Sequence, residues 1–96
     1  MNINLKNLLE QNHKGKSNAI KSFQLERLTN QTGSQIRECV NELRCSGVPV
    51  CSDRSGYYIA DSREELNHTI AQLNSRILQI NKAIKGLQSK LEDYHE

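Results

Sequence analysis

The run LTNQTGSQIRECVNELRCSGVPVCS, residues 28–52, holds a helix end, a helix start, a whole helix and the opening of an extended segment. Asn30 tolerates the left-handed conformation that closes a helix. Thr32-Gly33-Ser34-Gln35 then has the spacing of a capping box. Thr32 is its N-cap, and Gln35 at the third helical position reaches back to the Thr32 N–H. The spacing predicts a helix over 33–45 that ends at Ser46-Gly47, with Ile36, Val40 and Leu43 on its inner face and Cys39 flanking them. Val48-Pro49-Val50-Cys51 is extended, because Pro49 has no N–H for a helix and restrains Val48.

Upstream, residues 3–12 (INLKNLLEQN) predict a short helix with Ile3, Leu5, Leu8 and Leu9 as its apolar side. The polar stretch 13–18 contains Gly15 and ends it. Ala19 and Ile20 form either a brief strand or an extended lead-in. Ser22 is the expected N-cap of a helix over 23–29 whose buried side includes Leu25 and Leu28. Downstream, Asp53-Arg54-Ser55-Gly56 is a turn and Tyr57-Tyr58-Ile59 has the content of a strand. Tyr57 and Tyr58 point to opposite faces, so one of them fills the core. Two helices joined by three or four residues, followed by a β-hairpin, describe a winged helix-turn-helix. The expected fold is therefore mainly α with a small β-hairpin: a winged helix-turn-helix domain over 1–60, then a long C-terminal coiled-coil helix over 61–96.

That last helix has its own signature. Asp61-Ser62-Arg63-Glu64 has capping-box spacing with Asp61 as the cap. Apolar residues then recur at alternating intervals of four and three: Leu66, Ile70, Leu73, Ile77, Ile80, Ile84, Leu87, Leu91 and Tyr94. Ile70, Ile77, Ile84 and Leu91 take heptad position a; Leu66, Leu73, Ile80, Leu87 and Tyr94 take d. β-Branched residues at a, with Leu mostly at d, favour a parallel two-stranded coiled coil. Flanking positions e and g carry few charges, so orientation is weakly enforced. Leu78 falls at b, outside the seam, and requires either contact with the head or a larger bundle. Gly86 at c costs about 1 kcal/mol of helix propensity and weakens the final turns. Roughly 32 residues at about 1.5 Å each would span about 48 Å, too long to fold back over a sixty-residue head. The stripe is accordingly read as the seam of a homodimer.

The formal charge is +2, unevenly distributed: residues 1–60 carry eight Lys/Arg against five Asp/Glu, and residues 61–96 five against six. A mildly basic head on a near-neutral stalk is compatible with nucleic acid without demanding it. No apolar run is long enough for a membrane span, and the N-terminus has no signal-peptide stretch. The three cysteines, Cys39, Cys45 and Cys51, are spaced by six without a CxxC. That spacing argues against a disulfide scaffold or a zinc finger, and cytoplasmic residence with reduced thiols is expected. Cys39 reads as a small buried hydrophobe, Cys45 and Cys51 as partly exposed. No metal and no cofactor are expected. Nor is an enzyme: the chain has no glycine-rich phosphate loop and no nucleophile–base spacing that marks catalysis.

At about 100° per residue, the side of helix 33–45 opposite Ile36, Val40 and Leu43 presents Ser34, Glu38, Asn41 and Cys45, with Arg37 at the flank. In a helix-turn-helix this outer face enters the major groove. Arg37 has the donors for guanine, Asn41 the donor–acceptor pair for adenine, and Glu38 the acceptor for the cytosine amine. The same side chains also describe an ordinary solvated helix face. Arg54 at the hairpin tip is the second candidate contact, for phosphate or a minor groove. Lys14, Lys16 and Lys21 are further candidates for phosphate.

The run 28–52, followed by the turn and GYYIA, resembles the winged helix-turn-helix of the biotin-repressor-like type. It is closer still to small bacteriophage and prophage DNA-binding proteins with a VNELR-x-x-G-[VI]-P-[VI]-C-S core and a GY-aromatic strand. The resemblance covers roughly residues 18–60, and a helical tail after Asp61 recurs in those proteins. It implies that Gly33–Cys45 is the recognition helix and that residues 53–56 form the wing tip. The chain departs from the pattern at Asn30, where glycine is common, and at Gln31, where an apolar residue is usual. The function expected is sequence-specific binding of double-stranded DNA by a homodimer, as a phage or prophage transcriptional regulator or replication accessory. A partner protein in a replication or transcription complex fits that role. The alternative is a winged-helix adaptor that binds protein, with the coiled coil setting its stoichiometry.

Overall fold

Asn4 opens the first helix by accepting a hydrogen bond from the Asn7 N–H at 3.2 Å, and α1 runs Leu5–Asn12. The computed structural model describes residues 4–94, so Ile3 lies outside the described residues. Leu5 and Leu9 are buried and Leu8 is partly so, as the apolar spacing required. A single 3₁₀ turn, Lys16–Asn18, leads to helices α2 (Ser22–Thr29) and α3 (Gly33–Cys45). Strands β1 (Val50–Asp53) and β2 (Gly56–Ile59) form the antiparallel hairpin, and α4 (Arg63–Gln88) follows. The protein is thus mainly helical, with one small two-stranded sheet and a long C-terminal helix.

The α2–α3 junction is built from local chemistry. Asn30 sits at φ 55° and its N–H donates to the Glu26 carbonyl, closing α2. Thr32 Oγ1 accepts from the Gln35 N–H at 3.2 Å, and Gln35 Oε1 accepts from the Thr32 N–H at 2.9 Å, opening α3. Two details of α2 differ from expectation. Its cap is Lys21 rather than Ser22, because Gln24 lies three residues after Lys21 and accepts that residue's N–H at 3.3 Å. Leu25 is fully buried, but Leu28 is 44% exposed and Thr29 is buried in its place. At about 100° per residue, Thr29 lies about 40° from the Leu25 direction and Leu28 about 60°. Thr29 meets the cost of burial by donating its hydroxyl to the Leu25 carbonyl at 2.6 Å.

Across the hairpin, Val50 pairs with Ile59, Cys51 with Tyr58 and Ser52 with Tyr57. The pleat sends Val50, Tyr57 and Ile59 to the core formed with Leu5, Leu9, Ile20, Leu25, Ile36 and Val40. Cys51 and Tyr58 point the other way, under α4, where the Cys51 thiol approaches the Glu65 carbonyl at 3.7 Å. Cys51 is therefore fully buried, not partly exposed as its sequence position suggested, because α4 covers that side of the sheet. Cys39 is half-buried and Cys45 exposed. Ala19 and Ile20 supply an extended lead-in and not a strand. Ile20 makes one antiparallel bridge to the free edge of β2, with Ile20 N–H to Tyr57 O at 2.9 Å and Tyr57 N–H to Ile20 O at 2.8 Å. Gly56, at φ 122°, permits this approach; a Cβ there would lie 2.2 Å from the Ile20 oxygen.

The cap of α4 is Ser62, one residue later than expected: Ser62 Oγ accepts from the Glu65 N–H at 3.1 Å. Glu65 in turn accepts from the N–H groups of Asp61 at 2.7 Å and Lys16 at 2.9 Å. Those two backbone donors hold the Glu65 carboxyl below its usual range. Asp61 is thereby left to face Lys14. The first turns of α4 lie on β1, with Thr69 buried and Leu66 and Leu73 half-buried. From residue 74 onward every described residue is exposed. The radius of gyration is 17.1 Å, against about 12 Å for a compact domain of this length. No helix among the described residues is long and apolar enough to cross a membrane.

The α-helix also stops earlier than the stripe. After Gly86, Ser89 Oγ donates back to the Gly86 carbonyl at 2.7 Å, and residues Leu91–Asp93 form a 3₁₀ turn. Leu91 and Tyr94 thus lie beyond the end of α4. Gly86, the poorest helix former in this stretch, lies in the last turn of α4.

Candidate nucleic-acid interface

With Ile36 and Val40 buried on one side of α3, Ser34, Arg37, Glu38, Asn41 and Cys45 are all exposed. These are the residues that the helical step places opposite the core. Arg37 bends back along its own helix and donates from Nη2 to Ser34 Oγ at 3.1 Å. Among the described residues it has no ion pair, so its remaining guanidinium donors are available. Glu38 and Glu42 share the exposed surface and disfavour a phosphate beside them, so the Ser34–Arg37 end is the part of α3 that favours an anion. That end is also the positive end of the helix dipole.

One functionally placed residue escaped the sequence reading. Arg44, in the last turn of α3, donates from Nε to the Val50 carbonyl at 2.8 Å and from Nη2 to Ser52 Oγ at 3.1 Å. It pins the end of α3 to the open edge of β1 and so sets the angle between the α3 outer face and the hairpin. Burial pushes its guanidinium below the ordinary value, opposed by the neighbouring Cys51 and Tyr57 and assisted by Arg76. Its only sequence signal was an arginine one turn beyond Val40, just before an extended segment.

The hairpin tip is a two-residue loop, Arg54-Ser55, between the paired Asp53 and Gly56. Asp53 Oδ1 accepts from the Ser55 N–H at 2.7 Å, and Oδ2 accepts from the Tyr58 hydroxyl at 3.4 Å. Burial alone would raise the Asp53 carboxyl. The Ser55 N–H, the Lys16 ammonium and the Ser55 and Tyr58 hydroxyls outweigh it and hold the group below its usual range. Arg54 is exposed, and Lys21 Nζ donates to its backbone carbonyl.

The structure divides the three candidate lysines. Lys14 lies 3.8 Å from Asp61, and Lys16 lies 3.6 Å from Asp53. Both ammonium groups are mostly exposed, so each pair contributes at most about 1 kcal/mol and yields readily to a phosphate. Lys21 has no carboxylate partner among the described residues and stands with Arg54 at the hairpin tip. The expected contacts therefore form two groups: Ser34, Arg37, Glu38 and Asn41 on α3, and Lys21 with Arg54 at the hairpin. Among the described residues, no three His, Cys, Asp or Glu side chains come together to hold a metal ion. Compared with protein-family models, curated proteins and solved structures, the chain matches none.

Proposed function

We propose that this protein binds double-stranded DNA as a homodimer, with a winged helix-turn-helix head and α4 as the pairing stalk. One observation carries the reading: a separately capped helix, three residues after its predecessor, buries Ile36 and Val40 and turns Ser34, Arg37, Glu38 and Asn41 outward. Donors and acceptors of that kind at the start of an exposed helix match base edges in a major groove. The hairpin with Arg54 then takes the role of the wing. Pairing is supported by Ile70, Ile77, Ile80, Ile84 and Leu87, each 44% exposed or more along one helix. A continuous apolar stripe of this size on a single helix belongs against a partner. Parallel pairing presents the two heads together, as two half-sites require. A phage or prophage regulator, or a replication accessory, is the role that fits a small dimer acting through occupancy.

The test is fluorescence anisotropy with duplex from upstream of the protein's own reading frame and with a scrambled duplex, at several salt concentrations. The wild type should prefer the native duplex. Arg37→Ala with Asn41→Ala should remove that preference, at about 1–3 kcal/mol for each base contact, and leave the salt-dependent component. Retention of full preference by the double variant would refute the placement of the reading face. A second reading, an adaptor that binds protein, has its own observation: Phe23 is 58% exposed and Leu28 44% exposed on α2. Absence of duplex binding at low salt would favour it.

A further inference from the structure

Between the hairpin tip, the start of α2 and the point where α4 leaves the head lies an open cleft of about 650 Å³. Three cationic side chains from three separate elements line it: Lys21, Arg54 and Arg76. None of them has an ion pair among the described residues. Ser22, Ser52 and Ser75 also line it. Arg44 holds Ser52 in place through its 3.1 Å hydrogen bond, and it lies near enough to Arg76 to be repelled by it. One carboxylate, Asp53, also lines the cleft, but Ser55, Tyr58 and Lys16 already engage it.

Three cations share this cleft with a single carboxylate that is already paired, so an anion beside them is electrostatically favoured. The start of α2 adds to the demand. The first turn of α2 contains no acidic residue, so its dipole has no side-chain counter-charge there. A flat carboxylate would satisfy one guanidinium. A tetrahedral phosphate, with oxygens on several sides, can engage donors from the hairpin, α2 and α4 together.

We infer that this cleft binds a phosphate group, held by Arg54, Arg76 and Lys21 against the start of α2. In its source the inference rests on the DNA-binding reading: the group is a backbone phosphodiester beside the hairpin tip. Arg76, three residues after the half-buried Leu73, makes the stalk helix a direct participant in the site, and the position of the stalk and the grip on the ligand become linked.

The experiment uses the full chain and the variants Arg76→Gln and Arg54→Gln, both exposed positions. Salt titrations with duplex DNA are read beside amide chemical shifts during titration with inorganic phosphate. For duplex, the expected result is a salt slope shallower by about 1 in Arg76→Gln, equally for native and scrambled sequence. Amide shifts at Ser22, Ser52 and Ser75 with inorganic phosphate, lost in Arg76→Gln, would support the site even if no duplex bound. That outcome would reject the DNA reading and assign the cleft to a free phosphorylated molecule. An unchanged slope in both variants, with no phosphate-dependent shift at those serines, would overturn the inference. Absence of duplex binding together with absence of those shifts would overturn it equally.

Discussion

Replacing Gly56 with alanine tests how the hairpin is joined to the rest of the head. The added Cβ would lie 2.2 Å from the Ile20 carbonyl oxygen, 2.5 Å from its carbon and 3.0 Å from the Lys21 nitrogen. All three are backbone atoms, so no side-chain rotation relieves the overlap. The φ of 122° adds strain for any residue with a Cβ, about 1–3 kcal/mol. Relief requires the chain at Ile20 to withdraw, which breaks its two hydrogen bonds to Tyr57, now 2.8 and 2.9 Å. Each contributes about 1 kcal/mol net, and more if the N–H is left without a partner. The expected loss is about 3–5 kcal/mol, a large share of the stability of a small domain. Urea unfolding followed by far-ultraviolet circular dichroism, at matched protomer concentration, measures it. Gly86→Ala is the control: nothing lies within 4 Å of the added Cβ, and the helix should gain about 1 kcal/mol. A Gly56→Ala midpoint equal to wild type, at unchanged slope, would refute the argument that this glycine exists for the Ile20 bridge.

Two further outcomes follow from the same structure. Burial, reinforced by the Asp53 carboxylate, pushes the Tyr58 phenol up to about 12. A phenol raised above its ordinary value of about 10 contributes stability that is fully present below pH 10 and lost as pH rises through about 12. Phenolate absorbance should show a late step that Tyr58→Phe removes, and an unchanged titration in that variant would contradict the burial argument. In the stalk, Ile77 is 55% exposed in the protomer and central to the proposed seam. Ile77→Lys removes it twice per dimer and should weaken pairing roughly 100-fold or more. Sedimentation velocity would then find monomer where the wild type is dimer, and an unaltered dimer would place the seam elsewhere.

The parts of the fold legible in the chain are those whose causes lie within four or five residues. Asn30 closing α2, the Thr32–Gln35 box opening α3, the inward Ile36 and Val40, and the Asp53–Gly56 reversal all came from short-range hydrogen bonding and helical spacing. The outward face with Ser34, Arg37, Glu38 and Asn41 follows from the same spacing. Where two local solutions were close in energy, neighbours chose between them. Thr29 took the buried place of Leu28, lying nearer the Leu25 direction, and at the start of α4 Ser62 took the cap while the Glu65 carboxylate gained a backbone donor at Lys16, 49 residues away. Cys51 is buried only because α4 returns over the far face of the hairpin. Arg44 became a clamp because β1 offers it an unpaired carbonyl and the Ser52 hydroxyl. Lys21, Arg54 and Arg76 belong to elements far apart in sequence, and no periodicity relates them. Local hydrogen bonding and apolar spacing wrote the helices, the turn and the stripe into this sequence; the long-range packing of α4 and Ile20 on the hairpin determined which charges meet, because charge proximity depends on distance in space and not along the chain.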